Sequence, residues 1–129
     1  MTSESRDVEA VIEAVRSVFS AGEARDFARL RAFHLEAPDF SRWSNRPGGP
    51  LLDIAAAHDE EESAFGSLVA GTRVMPEEIR VDLFGPVAVS TFSVHVRSTE
   101  GALLRRTRGT LIWHRRPEGW RIVHEHFSP

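Results

Sequence analysis

The chain contains no cysteine. That absence excludes disulfides, thiolate metal sites and cysteine nucleophiles, and it fits a cytoplasmic protein. Lysine is missing too, so all 16 basic residues are arginine. We read this as nucleotide composition, since arginine codons are GC-rich; selection for bidentate anion binding is the functional alternative. No apolar run approaches the ~18 residues that span a bilayer, so no membrane partner is expected. The opening Met-Thr-Ser-Glu-Ser-Arg-Asp is polar, unlike a secretory signal. The net charge is −3 with basic residues dispersed among acidic ones, which argues against a nucleic-acid partner. There is no Gly-x-Ser-x-Gly elbow, phosphate loop or dinucleotide fingerprint. Acyl hydrolysis, phosphoryl transfer and nucleotide-dependent redox chemistry therefore lack support, and no cofactor is implied.

What is present reads as one domain over residues 1–129, of ordinary size and 41% apolar. Val8, Val11, Ile12, Val15, Val18 and Phe19 recur in steps of three and four, predicting an amphipathic helix over 5–20. A second helix with Phe27, Leu30, Phe33 and His34 follows Ala21-Gly22 and stops before Pro38. Residues 38–53 are rich in proline and glycine, predicting a loop, although Phe40 and Trp43 require part of it to tuck inward. Asp53 is a candidate cap for a third helix through Ile54, Ala57, Phe65 and Leu68. Beyond Gly71 the period changes to two, predicting strands over 79–84, 87–97, 102–116 and 120–128 joined by short turns. Helices followed by a meander of strands predict an α+β fold, an antiparallel sheet with helices over one face. Phe92, Val94 and Val96 share one face with Leu111 and Trp113, opposite a polar face. Three short helices over a long curled sheet leave room for a pocket.

The segment from Arg108, reading Arg-Gly-Thr-Leu-Ile-Trp-His-Arg-Arg-Pro-Glu-Gly-Trp-Arg-Ile-Val-His-Glu-His-Phe-Ser-Pro, resembles the closing hairpin of the SnoaL-like families of the nuclear transport factor 2-like superfamily. It is also similar to the calcium/calmodulin-dependent kinase II association domain. Pro38-Asp-Phe-Ser-Arg-Trp43 and Gly85-Pro-Val-Ala-Val-Ser-Thr-Phe92 extend the resemblance over nearly the whole chain. The resemblance implies a cone of curved antiparallel sheet closed by three N-terminal helices and, usually, a homodimer. Such families include ketosteroid isomerase-like enzymes, polyketide cyclases, epoxide hydrolases and non-catalytic binding or assembly modules, so fold alone selects no activity. The kinase domains carry pocket arginines where Leu111, Phe127 and Val94 stand here, which favours an apolar or aromatic organic ligand over an anion.

Val123-His-Glu-His-Phe127 is the densest polar group on a predicted strand, and two facings compete. If alternation continues from Trp120 and Ile122, His124 and His126 point inward, and an imidazole can serve as general base. If a bulge follows Ile122, then Val123, Glu125 and Phe127 face the interior, and desolvation raises the carboxyl pKa of a lone Glu125. In the bland reading these groups make structural hydrogen bonds at a subunit surface. His124 and His126 can also chelate a metal, but no third ligand is evident and none is expected to bind. His58 and Glu62, within Asp59-Glu60-Glu61-Glu62, read as a solvated acidic face. Arg108, with Arg106 beside it, can orient a carboxylate at the cone mouth or make an ordinary salt bridge. Trp43 is either a pocket wall or a core plug. The leading expectation is a small-molecule-binding domain doing cofactor-independent proton transfer, with His126 or Glu125 as base and Trp43, Phe92, Val94, Arg108, Leu111, Trp113, His124 and Phe127 around the ligand. The alternative is a dimerisation or assembly module.

Overall fold

The computed structural model describes residues 2–129. Helix α1 (Ser3–Glu23) begins where Thr2 accepts a hydrogen bond from the Ser5 amide, and it buries Val11, Val15, Val18 and Phe19 along its apolar stripe. Helix α2 (Phe27–Ala32) is capped by Asp26 and ends well before Pro38. Residues expected as loop contribute two short strands, β1 (Ser41–Trp43) and β2 (Leu51–Leu52). Asp53 caps helix α3 (Ile54–Gly66) by accepting from the Ala56 amide at 2.9 Å. Four long strands complete the chain: β3 (Arg73–Phe84), β4 (Val87–Arg97), β5 (Leu103–Arg116) and β6 (Gly119–Ser128).

The six strands form one curved, open sheet in the order β2-β1-β6-β5-β4-β3. The long strands pair antiparallel as expected, but β1 joins the outer edge of β6 in parallel, so the sheet is mixed. Strand β3 also starts six residues earlier than the alternation at 79–84 indicated. It carries Pro76 opposite Val94 and a bulge at Glu78, whose φ is 54°. Both are tolerated because β3 is an edge strand, where a missing ladder donor faces no partner.

The helices lie on the inner face, where α1 packs over β3 and β4. Its Val15, Val18 and Phe19 meet Phe92, Val94, Val96, Leu111 and Trp113 in one core. Gly22 lets α3 approach: a Cβ there would come within 2.3–2.5 Å of the Phe65 ring. The helices fill the end of the hollow near Trp113 and leave the end near Phe127 less filled. No helix among the described residues is long and apolar enough to cross a membrane.

Candidate functional site

The facing of β6 is decided by one residue. Ile122 lies opposite Trp113, but the next pair is His124 with Ile112, so Val123 has no partner and bulges out of the ladder. Alternation restarts one residue late, which turns Glu125 and Phe127 toward the helices and His124 and His126 toward the outer face. Glu125 is 1% exposed, whereas His126 is exposed. His126 therefore cannot serve the interior, and neither can His124, whose Nδ1 lies 2.8 Å from Ser41 Oγ. Burial and the nearby His126 hold His124 below the ordinary histidine value.

Glu125 is not a lone carboxylate. Three other elements bring ionic side chains against it. The segment after α2 is pinned to the bulge by backbone bonds from the Ile122 amide to Phe33 O and from the Leu35 amide to Ile122 O, and this places His34. Strand β1 pairs Arg42 directly with Glu125, on the same face. Helix α3 contributes Glu61, which lies on the apolar stripe between Ala57 and Phe65. Arg42, Glu61 and His34 are 2%, 6% and 4% exposed. The guanidinium Nη1 of Arg42 donates to Glu125 Oε2 and, at 3.2 Å, to Glu61 Oε2, while its Nε reaches Glu60 Oε1 at 3.4 Å. His34 Nδ1 donates to Leu30 O at 3.0 Å, because a carbonyl can only accept. Its Nε2 is thereby aimed between Glu61 Oε1, at 3.2 Å, and Glu125 Oε1.

Charge sets the protonation states. Burial alone would lower the His34 pKa, but the carboxylates of Glu125 and Glu61 raise it well above 6.5, so the ring is an imidazolium. Burial alone would raise Glu125, but His34 and Arg42 pull it below the usual carboxylate range. This reverses the elevated value expected of an isolated carboxyl. Glu61 moves the other way: burial and then the charge of Glu125 raise it, with His34 and Arg42 offsetting only part. Two cations and two anions thus cancel in a dry corner, and Glu61 is the carboxylate most easily protonated. His34, Glu61 and Glu125 also present donor atoms within 4.8 Å of one another. The Arg42 guanidinium already occupies both carboxylates, so a cation there would meet a positive neighbour.

A cavity of about 280 Å³ opens beside this corner, between α1, α3 and the inner face of the sheet. Its walls include Val18, Phe19, Phe65, Val94, Val96 and Phe127, and its buried end reaches Arg42 and Glu61. His34 and Glu125 stand behind that end, outside the lining. The third guanidinium nitrogen of Arg42, Nη2, has no hydrogen-bond partner among the described residues, and Arg42 is one of the residues lining the cavity. Arg42 also stacks on the Phe127 ring, 5.3 Å from its centre. A wider depression of about 510 Å³ lies between the start of α1 and β3, and no buried titratable group lines it.

Of the residues expected around a ligand, Val94 and Phe127 line the cavity. Phe92, Leu111 and Trp113 are core side chains, and the Trp113 indole donates to Ser90 Oγ at 3.0 Å. Trp43 is 44% exposed and is neither wall nor plug, because β1 turns Arg42 inward instead. Arg108 is exposed and donates to Pro129 O, while Arg105 and Arg106 stand at the cavity mouth. His58 and Glu61 are buried and not part of a solvated face; His58 Nε2 lies 2.6 Å from Glu36 Oε1. Glu60, too, is engaged. Burial would raise it, but hydrogen bonds from Ser44 Oγ and the Asn45 amide, with Arg42 nearby, hold it low. Arg42, Glu61 and His34 escaped the reading of the sequence. The one local signal was the spacing of Glu61 with Ala57 and Phe65, one helical turn on either side.

A family model for the SnoaL-like domain matches residues 8–129. The chain belongs to the SnoaL-like domain family. No curated protein matches it. Among solved structures, this SnoaL-like domain is similar to a provisionally assigned dehydratase of the NTF2-like family from Streptomyces avermitilis, with a TM-score of 0.83, 23% identity and 98% of each chain covered. It is similar to a provisionally assigned calcium/calmodulin-dependent protein kinase type II association domain from Thiobacillus denitrificans (TM-score 0.74, 21% identity, covering 88% of this chain and 89% of that one). A provisionally assigned ketosteroid isomerase from Shewanella frigidimarina superimposes with a TM-score of 0.69 at 21% identity, over 90% and 92% of the two chains. At such identities the likeness establishes the fold.

Proposed function

We propose that this SnoaL-like domain binds a small, largely apolar organic molecule in the cavity and moves a proton on it without a cofactor. Glu61 is the base and Arg42 holds the ligand oxygen. The observation that carries the reading is that Glu61 is a buried carboxylate with a raised pKa facing an apolar cavity, beside a free guanidinium donor. A carboxylate poised nearer working pH removes a proton from carbon next to a carbonyl more effectively than a solvated one. The charge that then develops on the carbonyl oxygen lies within the field of Arg42 Nη2, and a preorganised donor in a dry site stabilises it. Glu125 and His34 act through Arg42 and Glu61 by fixing their positions. The relatives bearing dehydratase and ketosteroid isomerase names fit proton-transfer chemistry. Homodimerisation belongs to the same proposal, since the relatives include an association domain. A second reading, assembly without chemistry, is favoured by the ion cluster itself, whose charges cancel without any ligand.

Exchange of the α-protons of 2-tetralone, an apolar enolisable ketone, measured by proton NMR in heavy water, separates the two. The protein should accelerate exchange, and Glu61→Gln should reduce the acceleration on the order of 10²-fold while the far-UV spectrum is retained. Exchange no faster than in buffer, or equal in the variant, would remove the chemistry and leave the assembly module.

A further inference from the structure

We infer that the cavity selects organic acids, with the acid group of the ligand held at the mouth by Arg105 and its apolar body running inward. This rests on the cavity being a ligand site. Strand β5 carries no acidic residue anywhere along its length, though the chain as a whole is acidic. Arg105 lies opposite Val96, and Thr107 opposite Val94. Directly opposed residues in an antiparallel pair share a face, so Arg105 and Thr107 continue the inner, cavity-lining face past the last apolar side chains. Arg105 lines the cavity, is exposed, and makes no ion pair or side-chain hydrogen bond among the described residues, while Arg106, next along the strand, belongs to the opposite face.

Arg42, Arg73, Arg80 and Arg115 each hold a carboxylate, Arg97 and Arg108 donate to backbone carbonyls, and Arg6, Arg16, Arg29 and Arg46, unpartnered like Arg105 among the described residues, lie away from the cavity. The cavity's own carboxylate, Glu61, is already engaged at the buried end. The ionic corner cancels within itself, so the exposed guanidinium of Arg105 stands as positive charge at this opening, where it attracts anionic ligands. Guanidinium forks bind carboxylate oxygens in pairs, which fixes which end of the ligand stays outside. The expectation of an uncharged ligand is thus amended: the body is apolar and the head is acidic.

Calorimetric titration with three probes of one shape tests this: 4-phenylbutanoate, 4-phenylbutan-1-ol and 4-phenylbutan-1-amine. The acid should bind about tenfold more tightly than the alcohol, the amine most weakly, and the preference for the acid should shrink with added salt. In an Arg105→Gln variant the acid should fall to the affinity of the alcohol, whose own binding stays unchanged. Equal binding of acid and alcohol by the natural protein overturns the acid preference but leaves the cavity a ligand site. No binding of any probe overturns both. An acid preference that survives in the variant overturns the role given to Arg105.

Discussion

Two parts of the inner sheet face, a few residues apart on β5 and β6, are held together by opposite physics. Around Trp113, Leu111 and Ile122 the interior is apolar, and its stability is spread over many small contacts. Around Glu125 the same face carries an ionic cluster, and four charged side chains are buried on the condition that all four are present. The first region tolerates the loss of any one contact in proportion to its size. The second tolerates loss poorly, because a missing partner leaves an uncompensated charge out of water.

Removing Arg42 should therefore give the largest effect. Arg42→Ala is expected to lower stability by about 3–5 kcal/mol, read as a shift of the urea midpoint. A loss no larger than that of an ordinary surface arginine would show that water enters the corner freely. The apolar side is tested by Gly109→Ala, since a Cβ there would meet the Phe92 and Phe127 rings at 2.6–2.8 Å. Overpacking should cost about 1–3 kcal/mol in the same measurement. Because Phe127 is also a cavity wall, this variant should weaken probe binding as well.

The smallest expected effect is one of pH, and it belongs to the ionic corner alone. The folded His34 pKa is raised, so its contribution is complete below 6.5 and is lost as pH climbs through the folded value. Glu125, lowered on folding, contributes above 4.5 and loses that contribution as pH falls toward its folded value. The chain lacks cysteine, tyrosine and lysine, so an alkaline decline cannot come from those side chains. Urea midpoints measured from pH 6.5 upward should fall in the natural protein and stay level in His34→Gln. An equal decline in the variant would assign it elsewhere.

The apolar region was legible in the sequence and the ionic one was not, for a physical reason. The stripe of α1, the Asp53 cap and the alternation of β4 and β5 are local patterns, each complete within one element. The likeness of the closing hairpin then supplied the fold. Strand β3 was seen only from Ile79, because Pro76 and the bulge at Glu78 hide its first half. The ionic corner has no local pattern: Arg42 sits in a Pro/Gly-rich stretch, Glu61 inside an acidic run, and His34 at a helix end. What makes them a site is β1 pairing with β6, a contact across more than eighty residues of chain. The facing of Glu125 was left open between two alternations, and only the β5–β6 register closes it.

That register has an evolutionary reading. Side chains on a strand alternate with a period of two, so the sense of everything after Ile122 depends on whether Val123 stays out of the ladder or pairs within it. Were Val123 to enter the ladder opposite Ile112, every later pair would slip by one and β6 would exchange its two sides. Two imidazoles would then face the hollow, and the carboxylate and phenyl ring would turn outward. A one-residue slip of register thus separates a carboxylate-based interior from a histidine-based one on an otherwise unchanged scaffold, a short path by which such folds can diversify their chemistry.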